Sequence, residues 1–211
     1  AAAVAALVLT ELALVAYWAT AGRARIRAGI RRCLLPAAAL GGLLAIVAQA
    51  LDVPPHLSIP APVFTILVIA SFLSSAALLG GACGAMSLGH WFLVVPTLDV
   101  RHLQTLARLH IAVMILRVIV VAAAVFLAVA TWQPGLGPSF ERYVLSSGGI
   151  FFWQRVLFGL AGPAVLSYLT LETAKIRSTQ SATGILYVDF FTVVVGEVLA
   201  KHVLLATAVP V

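Results

Sequence analysis

Residues 62–132 read PVFTILVIASFLSSAALLGGACGAMSLGHWFLVVPTLDVRHLQTLARLHIAVMILRVIVVAAAVFLAVATW, two long apolar runs around a short polar reversal. The first run carries no Asp, Glu, Lys or Arg from Val63 to Val95 and places His90 in its last turns. The second begins near Val100 and carries His110 and then Arg117. A helix crosses a bilayer core of about 30 Å with some 20 apolar residues, and each run exceeds that. At ~1.5 Å per residue the first would be about 50 Å long, so it must tilt, protrude or break. Gly80, Gly81 and Gly84 mark where close packing or a kink is expected.

The whole chain fits the same class. Of 211 residues, 63% are hydrophobic and only 9% charged, with mean hydropathy +1.12, whereas soluble domains carry about 25% charged residues. The composition implies an all-α polytopic membrane protein, one transmembrane domain over 1–211, with about six helices in an antiparallel bundle. The net charge of +6 does not point to nucleic acid. Its basic residues lie in short segments between apolar runs, the pattern that sets membrane orientation. Cys33 and Cys83 form no CxxC or Cys/His ligand pattern. The opening alanine run has no methionine, which leaves room for a preceding leader.

Spans are expected near 1–21, 33–51, 63–95, 103–132, 150–171 and 184–208. Five arginines, Arg23, Arg25, Arg27, Arg31 and Arg32, follow the first span. The positive-inside rule puts that loop in the cytoplasm and both termini outside, as in a bacterial inner membrane. Residues 52–62, with four prolines and His56, read as an outer loop. Pro163 is expected to kink the fifth span.

A charge inside a span costs at least about 2.5–3.5 kcal/mol on insertion scales, so each one is a functional candidate. These are Glu11, His90, His110, Arg117, Arg155, Asp189, Glu197, Lys201 and His202. The plainer alternative is structural ion pairing: Glu197 and Lys201 stand at i,i+4 and are expected to neutralise each other, and Asp189 is the expected partner of Arg117. His90 and His110 flank the reversal at Pro96 to Asp99. Facing each other, they would supply both axial ligands of a haem b or border a quinone, with Arg101, Arg108, Arg117 and Arg177 holding propionates or a carbonyl. The plainer alternative for them is interfacial hydrogen bonding.

No Walker loop, GxGxxG, HExxH or GxSxG stands in a credible context, so no autonomous catalytic motif is present. Three functional classes follow. The first is a subunit of an electron-transfer assembly with a haem b or quinone site near the cytoplasmic leaflet, dependent on other membrane or peripheral subunits. The second is a small proton- or ion-coupled transporter using Asp189, Glu197 and the kinked fifth span. The third is a cofactor-free scaffold subunit.

Overall fold

A computed structural model describes residues 2–20, 28–55, 58–95, 97–135 and 139–211, and of Ala28, Ile30 and Arg31 the backbone alone. Arg23, Arg25, Arg27, His56 and Pro96 lie outside the described residues, as does the Arg31 side chain. Among the described residues six helices are long and apolar enough to cross a membrane, which makes this a polytopic helical membrane protein.

The chain packs as two compact units, residues 1–54 and 55–211. In the first, α1 (Ala2–Thr20) and α2 (Ala28–Leu51) lie antiparallel. Their close approach is at Gly41, where an added Cβ would stand 2.6 Å from Thr10 Oγ1. Thr10 returns its hydroxyl to the Ala6 carbonyl at 2.9 Å, so it brings no unmet polar group into the span.

The second unit is built from α3 (Ala61–Val94), α4 (Arg101–Ala130), a short α5 (Phe140–Leu145), a broken fifth span, and α8 (Thr179–Thr207). The break joins α6 (Ile150–Val156) to α7 (Gly162–Lys175) through one π-helical turn, Leu157–Ala161. Its cause is covalent: Pro163 has no N–H for the carbonyl four residues back, and Gly162 donates instead to Leu157, five residues back. The irregularity expected at Pro163 therefore falls in the turn just before it. By contrast, α3 runs unbroken through Gly80, Gly81 and Gly84, and the helices outrun several of the expected bounds by a few residues.

The spans of this unit form a ring in which α3 packs on α4 and α8, and α7 on α4 and α8. The connections from α3 to α4 and from α7 to α8 are only a few residues long, and α5 turns the chain back at the end of α4, where Phe140 packs with Ala128 and Phe152, so consecutive spans of this unit run antiparallel. The outward faces are apolar: Ile66, Phe126, Phe191 and Leu205 are each at least 65% exposed. In water such surfaces would drive aggregation, and in lipid they are the solvated side. One end of the ring carries Arg101, Arg108, Lys175 and Arg177, all exposed, and is called the basic end below.

Candidate functional site

Asp189, Val193 and Glu197 stand four residues apart on α8 and therefore on one face of it. All three are buried, so the interior of the ring has a polar layer, an apolar layer and a second polar layer in succession.

At the first layer His110 Nε2 of α4 lies 3.0 Å from Asp189 Oδ2, with the side chains 1% and 0% exposed. The imidazole fits there because Gly81 faces it: a Cβ on Gly81 would stand 3.0 Å from His110 Nδ1. The separation is that of a hydrogen bond, but the direction is off-axis, and neither group completes a bond in this geometry. The imidazole and the carboxylate thus stand in contact inside the ring, with no other hydrogen-bond partner for either among the described residues. The next layer is apolar: Leu78, Ala82, Met114 and Val193 pack in it and are each at most 2% exposed.

The third layer holds Arg117, Arg155 and Glu197. Arg117 grips Glu197 through two parallel bonds, Nε to Oε1 at 3.0 Å and Nη2 to Oε2 at 2.9 Å. Its Nη1 donates to the carbonyl and hydroxyl oxygens of Ser71 at 3.2 and 2.9 Å, and Nη2 also reaches the Val211 carbonyl at 3.2 Å. Ser75 donates to Glu197 Oε2 at 2.6 Å, and Arg155 Nη2 donates to Oε1 at 3.1 Å. One carboxylate thus serves two guanidinium groups. Arg117 is saturated, whereas Arg155 Nε and Nη1 find no partner among the described residues. Both arginines are 0% exposed.

This layer depends on two glycines. Gly159, inside the π turn, leaves room for the Arg155 guanidinium, and Gly196 lies directly against Gly159. A Cβ on either would collide with the other helix or with the arginine.

The expected pairings are corrected in two respects. Arg117 meets Glu197 rather than Asp189, because Glu197, eight residues further along α8, lies at its depth while Asp189 lies level with His110. Glu197 in turn is held by the two arginines, and Lys201, expected to neutralise it, sits with Nζ 3.6 Å from the centroid of the Phe72 ring. His90 and His110 take separate partners. His90 is exposed and its Nδ1 lies 3.0 Å from Tyr187 Oη, whereas His110 abuts Gly81, nine residues earlier on α3 and so about 13 Å away along the axis. Arg101 lies 3.9 Å from the exposed Asp99. Arg108 is exposed, and Arg177 lines a surface cleft of about 240 Å³ with Asp99 and Thr179. Glu11 belongs to the first unit, on an exposed face of α1.

No family model, no curated protein and no solved structure matches this chain. The geometry alone therefore carries the functional reading.

Proposed function

We propose that this membrane protein is a proton-coupled transporter, with His110 and Asp189 as the pair that loads and releases the proton. The single observation that carries the reading is the His110–Asp189 contact, 3.0 Å long and sealed inside the ring. Titratable groups inside a span are costly to bury, which makes such a pair a functional candidate by default. In the exchange the imidazolium Nε2–H bond breaks and an Asp189 Oδ2–H bond forms, turning two buried charges into two neutral groups. That change of state is what a coupled transporter needs at its centre.

Two further features support it. The apolar layer at Val193 and Met114 separates the pair from the arginine layer, so the two polar layers are distinct stations along α8. The π turn and Pro163 place weakened backbone beside the second polar layer, where a helix can change its packing.

The test is proton flux in vesicles of synthetic lipid, read with an internal pH dye under an imposed membrane potential. The wild type is expected to acidify or alkalinise the lumen faster than empty vesicles, and Asp189→Asn to return the rate to that of empty vesicles while melting close to wild type. Flux equal to that of empty vesicles for the wild type under every imposed gradient would overturn the proposal. A reduced haem b spectrum abolished by both His90→Ala and His110→Ala would replace it by the electron-transfer reading.

A further inference from the structure

We infer that the end of the ring away from the basic end carries a binding site for an aminophospholipid, a lipid whose head joins a phosphate to a primary ammonium, as in phosphatidylethanolamine. The site is organised by α5 and does not depend on the proton-transport reading.

Its first residue fixes α5 to the ring. Phe140 is buried and packs edge-on to Phe152, with ring centroids 5.5 Å apart, while the Ser139 hydroxyl accepts the Arg142 N–H at 3.2 Å. The residues that follow fall into rows four apart. Phe140 and Val144 turn to the apolar core, Glu141 and Leu145 form the next row, and Arg142 leads to Ser146 beyond it. Two clefts share the Glu141–Leu145 row. On one side an apolar cleft of about 230 Å³ is walled by Val125, Val129, Phe140, Val144 and Phe152. On the other, a cleft of about 420 Å³ takes in Ser139, Arg142 and Ser146.

The two sides suit the two parts of a lipid. Val125 and Val129 stand one turn apart at the end of α4, so the apolar cleft follows the span, and in a bilayer its solvent is an acyl chain. Trp132 and Trp153, both exposed, mark the level at which chains give way to heads. Glu141 and Arg142 are exposed beside that cleft, and neighbours in a helix point about 100° apart, so they do not neutralise each other across the surface. A carboxylate and a guanidinium side by side at that level match a head of both signs. Phosphate oxygens accept the paired donors of Arg142, and the ammonium donates to Glu141. A choline head keeps the phosphate but has no N–H to give, and a glycerol head leaves Glu141 facing a net negative charge.

The experiment offers the whole chain, in detergent micelles, phosphatidylethanolamine, phosphatidylcholine or phosphatidylglycerol of one acyl composition, and counts bound lipid by native mass spectrometry across a titration. The wild type is expected to bind the ethanolamine lipid about 5- to 10-fold more tightly than the choline lipid. Glu141→Gln should bring the ethanolamine lipid down to the choline level and leave the glycerol lipid bound at least as well as before. Arg142→Gln should weaken both the ethanolamine and the choline lipid. Both positions are exposed, and a lipid-free melting midpoint equal to wild type checks that each variant is folded. An ethanolamine lipid bound no more tightly than its choline counterpart, or a preference for it that survives Glu141→Gln, would overturn the inference.

Discussion

Replacing Glu197 by Gln tests the arginine layer with almost no change of shape. Glu197 accepts from Arg117 Nε and Nη2, Arg155 Nη2 and Ser75 Oγ. If the amide oxygen takes the Oε1 position, it keeps Arg117 Nε and Arg155 Nη2. The amide nitrogen then faces Arg117 Nη2, donor against donor, and the Ser75 hydroxyl must turn round. Hydrogen bonds to charged groups contribute about 1.5–3 kcal/mol each, and breaking a buried ion pair from one side costs about 3–5 kcal/mol. The two estimates agree on a loss of a few kcal/mol. For a chain of this length that corresponds to a fall of about 6–20 °C in the melting midpoint. Intrinsic tryptophan fluorescence during a thermal ramp reads it, with Leu205→Ala, at an 87% exposed outward position, as the control. A Glu197→Gln midpoint within about 2 °C of wild type would refute the reasoning, since a shift that small is under ~1 kcal/mol. Adding Arg155→Gln to Glu197→Gln should recover part of the loss, because the double variant has one stranded guanidinium instead of two.

Gly196→Val should collapse the contact between α8 and the π turn, because its Cβ would occupy the position of Gly159. It is expected to cost more than about 3 kcal/mol, and a midpoint equal to wild type would deny that contact. Tyr187→Phe removes the hydroxyl beside His90 at the exposed rim and should shift stability by less than about 1.5 kcal/mol, with proton flux retained. Orientation is read by cysteine labelling. In a Cys-free background, Arg177→Cys at the basic end should react with a charged maleimide only after the membrane is opened, and reaction in intact cells would invert the topology. In the wild-type chain Cys83, exposed within α3, should resist that reagent even after the membrane is opened, because it faces lipid rather than water.

Much of the fold was legible because it follows from a simple requirement. Backbone groups in lipid must bond within their own helix, so apolar length marks each span almost directly. The list of buried charges was legible for the same reason, since Arg117, Arg155, Asp189 and Glu197 stand out in apolar runs. Their pairing was not. Arg117 could meet Asp189 or Glu197 depending on a register between α4 and α8 that no local pattern encodes, and the difference is eight residues of α8. The i,i+4 spacing of Glu197 and Lys201 suggested a local pair, but two arginines from other helices offer Glu197 bidentate and buried bonds that a flexible lysine cannot match. Ser71 and Ser75 went unremarked, although their spacing puts them on one helix face and could have marked the polar side of α3. Gly159 and Gly196 carried no signal apart from their size. The two histidines looked adjacent because the reversal is short, yet the depth of each along its helix separates them.

The claim at the centre is that Asp189 carries the proton, and infrared difference spectroscopy on the reconstituted protein while a proton gradient is imposed tests it most directly. The account predicts a carboxylic-acid carbonyl band that appears with the gradient, disappears in Asp189→Asn, shifts in His110→Gln, and persists in Asp99→Asn. The same band surviving in Asp189→Asn, or no such band while the wild type conducts protons, would contradict it.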